Sequence, residues 1–175
     1  MSLEPPCGWR DVKSAAQRAD LILQTKGIKE HSEKKYKGIP LLDSTLDFAS
    51  PCLAISKEEV MVPGSKTWLA FCGIARPQSF FDAVQGFSNQ KIETLAFPDH
   101  YSFTEENLRQ LLDKAKQNNA YLITTEKDWM RIKNLKSVDL QNLCVLPMKV
   151  RIKKESEFWK VIDQNILSFR KAKLS

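Results

Sequence analysis

Glycine is scarce in this chain, six in 175 residues. None of the six falls in a G-x-x-x-x-G-K-[ST] or G-x-G-x-x-G arrangement, so no phosphate-cradling loop of either kind is encoded. Cys7, Cys52, Cys72 and Cys144 are scattered without a C-x-x-C pair, which removes the usual zinc and redox frameworks. Cys72 and Cys144 sit inside apolar runs, where a thiol packs as a small core side chain, and a reducing, cytosolic setting fits best. No metal-ligand cluster and no Ser or Cys nucleophile elbow is present. No uninterrupted apolar run approaches the roughly 18 to 20 residues of a spanning helix. The N-terminus shows no basic-then-apolar signal pattern, so the chain is not expected to cross a membrane by itself. Aromatic residues fall on apolar stripes rather than between Lys and Arg, which argues against a nucleic-acid surface.

What is there is ordinary globular material. Hydrophobic residues make up 42% and charged residues 27%, enough for one well-buried core, or one domain plus a piece of another. Lys and Arg number 27 against 21 for Asp and Glu, a net charge of +6. That balance permits attraction to phosphates or anionic lipid and specifies neither.

The chain begins irregularly, with Pro5, Pro6 and Gly8 before Trp9. Asp11 to Asp20 reads as a short helix and Leu21-Ile22-Leu23 as a brief strand. Lys26 to Gly38 is a charged, solvated loop, with anion binding as the minority reading and no role for His31. Ile39 to Ile55 carries Pro40 and Pro51 and suits extended linker or edge strands better than a central sheet. The boundary follows, giving residues 1–62 as the edge of one domain plus a linker and 63–175 as an α/β domain.

From Thr67 the pattern sharpens. Trp68 to Cys72 is a continuous apolar strand, followed by Gly73-Ile74-Ala75-Arg76-Pro77 and a helix from Pro77 to about Phe87, whose buried face is Phe80, Phe81, Val84 and Phe87. A strand from Ile92 to Phe97 leads into Pro98-Asp99-His100-Tyr101-Ser102-Phe103-Thr104. A helix runs from Thr104 to about Asn118, with Leu108, Leu111, Leu112 and Ala115 on one stripe; Ser102 and Thr104 are both candidate N-caps. Ala120 to Thr124 is a strand leading into Thr124-Thr125-Glu126-Lys127-Asp128 and a short helix. Leu143 to Leu146 makes another strand, Met148 to Ile152 extends it or pairs elsewhere, and Glu155 to about Lys171 is an amphipathic helix with Phe158, Val161, Ile162, Ile166 and Phe169 inward. Alternating strands and helices predict an α/β fold with a mainly parallel sheet and helices on both faces.

In such a sheet ligand groups gather outside the carboxyl ends of the strands. Three polar turns would share that edge, bringing together Arg76, Asp99, His100, Thr124, Thr125, Glu126, Lys127 and Asp128. Imidazole titrates near neutral pH and can take a proton from a hydroxyl if a neighbour holds the correct tautomer. Two bland readings remain open beside this one: Asp99 caps its turn while His100 merely packs, and Thr125 caps a helix whose Glu126 and Lys127 are solvated.

Three segments in this order and spacing, Cys72-Gly73-Ile74-Ala75-Arg76-Pro77-x-x-Phe80-Phe81, Ala96-Phe97-Pro98-Asp99-His100-x-x-Phe103-Thr104 and Thr124-Thr125-Glu126-Lys127-Asp128, together resemble the C-terminal domain of tetraacyldisaccharide 4'-kinases. Arg18-Ala19-Asp20 and the strand after it resemble the last part of that family's P-loop domain. The resemblance implies two α/β domains joined by a hinge, at the cytoplasmic face of the inner membrane of Gram-negative bacteria. It implies transfer of the ATP γ-phosphate, with Mg²⁺, to the 4'-hydroxyl of a tetraacyl disaccharide 1-phosphate, the lipid A precursor. In the family the Walker A loop and a catalytic aspartate belong to the N-terminal domain, and the histidine of the D-H motif, here His100 beside Asp99, supports that aspartate. Ala75-Arg76 departs from the Gly-Asn type of turn expected there. Because no Walker A loop lies in these 175 residues, the chain reads as a kinase fragment inactive by itself; the alternative is a non-catalytic α/β binding module or relic that kept the fold.

Overall fold

A computed structural model describes residues 13–25, 36, 38–62, 64–135 and 138–173. Cys7, His31 and nearly all of the expected basic loop from Lys26 to Gly38 lie outside the described residues. The chain divides into two units, one of Met1–Asp47 with Val150–Ser175 and the other of Phe48–Lys149.

The second unit carries a five-stranded sheet. Its strands are β3 (Cys52–Leu53), β4 (Thr67–Cys72), β5 (Glu93–Ala96), β6 (Ala120–Thr125) and β7 (Cys144–Leu146), in the order β3-β7-β6-β4-β5. β4 pairs in parallel with both β5 and β6, and β6 with β7, while β3 closes the edge antiparallel. Between the strands run α1 (Pro77–Gln85), α2 (Glu105–Gln117) and α3 (Glu126–Ile132). The continuous apolar run of β4 has a plain cause: Trp68 through Cys72 are all fully buried, because helices cover both faces.

The two faces have separate cores. Trp68, Ala70, Cys72 and Ile123 pack with Phe80, Phe81 and Val84 of α1. Leu69, Phe71, Leu122 and Val145 pack with Leu108, Leu111 and Ala115 of α2 and Ile132 of α3. The chain therefore leaves β4 for one face and leaves β6, its neighbour, for the other, which makes the carboxyl ends of β4 and β6 a topological switch point.

The helices follow local signals. Pro77 opens α1, where its missing N–H costs nothing. Thr104, not Ser102, caps α2: its hydroxyl accepts from the Asn107 N–H while Asn107 Oδ1 accepts from the Thr104 N–H, a reciprocal box. α1 is shorter than expected, ending at Gln85, and Phe87 is left 39% exposed outside the buried stripe.

In the first unit, residues Lys13–Arg18 form a 3-10 helix where a longer helix was expected. β1 (Ile22–Gln24), β2 (Leu41–Phe48) and β8 (Met148–Ile152) form a sheet in the order β1-β2-β8. This corrects the edge or linker reading of residues 39–55, since β2 is the middle strand. Pro40 and Pro51 fall outside its ends, so neither removes a ladder bond. β8 brings α4 (Glu155–Lys173) with it, which is why the division sends Val150–Ser175 to the first unit rather than across a boundary after residue 62. Lys153 closes this unit twice, from its N–H to the Asp43 carbonyl (2.8 Å) and from Nζ to Asp43 Oδ2 (2.8 Å). On α4, Phe158, Val161 and Ile162 are half-buried, but Ile166 and Phe169 are exposed, so the inward stripe covers only the first half of the helix. Among the described residues no helix is long and apolar enough to cross a membrane.

Leu108 is fully buried against β6, whereas Leu112 lies partly covered at the margin of the same core. Leu108→Ala is expected to cost about 3 kcal/mol and Leu112→Ala about 1 kcal/mol, read from urea unfolding midpoints. Equal costs would contradict this placement of α2.

Candidate functional site

The turns after β4, β5 and β6 meet at Gly73. Its N–H donates to Asp128 Oδ2 (2.9 Å), and its carbonyl accepts from the His100 N–H (3.2 Å) and from Arg131 Nη1 (3.1 Å). A Cβ at this position would stand 3.2 Å from the Pro98 carbonyl oxygen, 3.2 Å from Tyr101 Cβ and 3.5 Å from Asp128 Oδ1. Glycine here lets the turns approach closely, and a Cβ would require its neighbours to give by a few tenths of an ångström.

Asp128 is fully buried, one turn into α3. Oδ2 accepts from Gly73 and from the Thr125 hydroxyl (2.8 Å), and Oδ1 accepts from Arg131 Nη1 (2.9 Å). Thr125 caps α3 in return, its hydroxyl accepting from the Asp128 N–H (3.0 Å). A buried carboxylate is tolerated when it is paired and its lone pairs are used, and both conditions hold here. Its charge acts on the neighbouring Cys72 thiol, which desolvation first, and Asp128 second, push up to about 12. That thiol stays protonated and inert.

The turn after β5 rests on an aromatic floor. Phe97, Tyr101 and Phe103 stack edge-on or tilted with centroids 4.9–5.1 Å apart, and Phe103 reaches Phe71 of β4 at 5.5 Å. The three rings of this segment pack toward the core, while Asp99 and His100 at the tip of the turn are exposed. The Tyr101 N–H donates to the Pro98 carbonyl (3.1 Å), closing a tight turn whose third residue, His100, has φ +61°. That left-handed conformation costs a histidine about 1 kcal/mol and is supported by its surroundings.

On top of the turn the His100 side chain is 72% exposed. Its Nδ1 lies 3.0 Å from Arg131 Nη2, and its Nε2 lies 3.7 Å from Asp99 Oδ2. Lys127 Nζ stands 3.5 Å from Asp99 Oδ1, which also accepts from the His100 N–H at 3.0 Å. The Asp99 carboxyl sits below its ordinary range: desolvation pushes it up, but the charges of His100 and Lys127 and the bonds from Lys127 and the His100 N–H outweigh it. The Asp99–Lys127 pair therefore persists below the usual carboxylate titration and is lost as pH falls through the lowered value.

Of the residues expected at this edge, Asp99, His100, Thr125, Lys127 and Asp128 join one connected network. Glu126 turns away, its Oε2 accepting from the Met148 N–H at 3.1 Å. Thr124 is fully buried in register with Val145, its hydroxyl without a partner among the described residues, and is closed to a ligand. Arg76 is exposed at the N-cap position of α1 with no side-chain cap bond. Two members were not singled out from sequence, Gly73 and Arg131. Arg131 had a signal, since it stands three residues after Asp128 on a helix, where an Asp and an Arg share a face. Among the described residues no three His, Cys, Asp or Glu side chains are grouped to hold a metal.

Comparison with known proteins matches residues 4–167 to the family described as tetraacyldisaccharide-1-P 4'-kinase. A tetraacyldisaccharide 4'-kinase of Bartonella quintana is 38% identical over 122 residues, covering 69% of this chain and 34% of that protein. One of Flavobacterium johnsoniae is 33% identical over 159 residues, 83% of this chain and 44% of that protein. The chain thus spans between a third and a half of the length of these relatives. Among solved structures, LpxK from Aquifex aeolicus, crystallised in complex with ATP, superposes with a TM-score of 0.54 at 22% identity, over 89% of this chain and 45% of that one, a likeness of fold.

Two expectations follow from the network. Asp128→Ala, which strands a half-buried guanidinium and a buried N–H, is expected to cost about 3 kcal/mol by chemical denaturation, against less than about 1 kcal/mol for the exposed Glu126→Ala. His100→Gly is expected to be about 1 kcal/mol more stable than His100→Ala, because both lose the imidazole and glycine alone accepts the left-handed φ without strain. The reverse order would mean the turn relaxes out of that conformation.

Proposed function

We propose, because this chain belongs to the tetraacyldisaccharide-1-P 4'-kinase family, that it supplies the C-terminal α/β half of a lipid-sugar kinase. The reaction is transfer of the γ-phosphoryl group of ATP to the 4'-hydroxyl of a tetraacyl disaccharide 1-phosphate, the lipid A precursor. The observation that carries this reading is the mounting of His100: an exposed imidazole at a switch point, on a left-handed turn, bonded from behind by a guanidinium that a buried carboxylate holds. A group so firmly held and so open serves something beyond the sheet.

Phosphoryl transfer depends on positioning and charge stabilisation. Cradling the nucleotide phosphates and holding Mg²⁺ need a phosphate loop and grouped carboxylates. These 175 residues contain no such loop, and the described residues group no metal ligands. Those duties belong to a P-loop domain acting with this chain, and ATP with its Mg²⁺, bound there, supplies the electrophilic phosphorus. The chain's own part is to present His100 beside Asp99, with Lys127 holding the Asp99 carboxylate and with Arg76 exposed at the start of α1, without an ion pair among the described residues. Alone the chain has no kinase activity. The net charge of +6 supports peripheral attachment to the anionic cytoplasmic face of the inner membrane.

The test is complementation of a strain deficient in the 4'-kinase, with this chain alone and with a separately expressed P-loop domain from a relative. Rescue is expected with both parts together, is not expected with the chain alone, and is expected to disappear in His100→Ala. If the folded chain rescues in neither combination, the reading fails and a binding module that kept the fold takes its place. Metal-dependent ATP turnover by the purified chain would refute its inactivity alone.

A further inference from the structure

We infer that Arg131 is a positioning residue that fixes the tautomer of His100, so that the imidazole faces outward as a hydrogen-bond donor through Nε2. Arginine carries five N–H donors, no lone pair, and a charge it keeps at any ordinary pH. With Nη2 3.0 Å from Nδ1, the ring nitrogen on that side has to present its lone pair. The proton of the neutral imidazole is then on Nε2, which lies 3.7 Å from Asp99 Oδ2, beyond a good hydrogen bond.

The guanidinium is itself aimed. Nη1 donates to Asp128 Oδ1 (2.9 Å) and to the Gly73 carbonyl (3.1 Å), and its side chain is 24% exposed. The same Gly73 carbonyl accepts from the His100 N–H. Backbone and ring of His100 are therefore referenced to one rigid point, and a shift of Arg131 would move the ring without unseating the turn. Nε2–H then points to an acceptor that the network itself does not supply. His100 does not take a proton through that nitrogen in this arrangement, which differs from the general-base role that imidazole chemistry alone suggests.

The role in catalysis rests on the kinase reading above, but the tautomer does not, and it can be read in the chain as it stands. The chain has two histidines, so His31→Ala assigns the His100 signals in a long-range proton–nitrogen correlation spectrum. The expected result is an Nε2-protonated ring, favoured over the other tautomer by on the order of tenfold more than in a solvent-exposed histidine side chain. Arg131→Met is expected to return the ratio to that of a solvent-exposed histidine side chain while thermal unfolding shows a folded chain. If that variant fails to fold, Arg131→Lys replaces it, because an ammonium has no planar fork to reach Asp128 and His100 at once. An Nδ1-protonated ring in the unaltered chain, or a ratio indifferent to Arg131, would overturn the proposal.

With an added P-loop domain, Arg131→Met is expected to lower kcat with little change in KM. The double variant with His100→Ala is expected to be no slower than His100→Ala alone. Fully additive losses would show that Arg131 acts on something other than His100. Absence of turnover in the unaltered pair would sink the kinase reading and leave the tautomer to stand or fall on the spectrum.

Discussion

The Asp128 carboxylate is the interaction on which this architecture turns. It is buried, and each of its oxygens is engaged: Oδ2 by the Gly73 N–H and the Thr125 hydroxyl, Oδ1 by Arg131. An unpaired charge in that position would be costly enough to unfold a domain of marginal stability. Its partners come from the turn after β4, from the start of α3 and from the last turn of the same helix, so satisfying one charge fixes three pieces of chain. Through the Gly73 carbonyl and the far side of the guanidinium the same fixation reaches the turn after β5.

Rigidity under His100 comes from a different source. The rings of Phe97, Tyr101 and Phe103 are wedged against Phe71, and Tyr101 also donates to Asn107, the residue that completes the cap of α2. Stacked rings bury apolar area without offering alternative rotamers, so the polar pair above them has little freedom to move. This allows a histidine to remain at φ +61°. The cost of that conformation is offset by two bonds from its N–H and by the packing of its neighbours on either side.

Much of this was legible from residues alone, and the failures have identifiable causes. The apolar run of β4, the Leu108, Leu111 and Ala115 stripe of α2 and the order of strands and helices all reflect burial periodicity, which is a local property. The meeting of the three turns followed from the rule that parallel strands expose their carboxyl ends together. Gly73 escaped because its importance is a matter of approach between segments 55 residues apart, which no local pattern records; Arg131 has a local signal in its place three residues after Asp128, but none for its reach to Gly73, 58 residues away. β2 was misjudged since prolines flank it at positions 40 and 51, and flanking prolines look the same in a sequence as interior ones until the strand ends are known. The exposed second half of α4 shows the converse: an amphipathic stripe states what a helix can bury, and the described residues cover only part of it.

The charges in the site also balance in a way that identifies the group left for use. Asp128 is matched by Arg131 and Asp99 by Lys127. The main-chain groups of Gly73 are taken, and the Thr125 hydroxyl both donates and accepts. Within this network the imidazole Nε2 is a polar atom with capacity to spare, since Asp99 Oδ2 stands at 3.7 Å and the ring is open to solvent. A site whose purpose was to stabilise the fold would have no reason to hold a histidine in a left-handed turn and point its one free nitrogen outward; asparagine or glycine would make the same turn at lower cost. The arrangement is accounted for if an oxygen from outside the network, anionic in character, completes it, and the elements that hold His100 in place have their own bonding satisfied before that oxygen arrives.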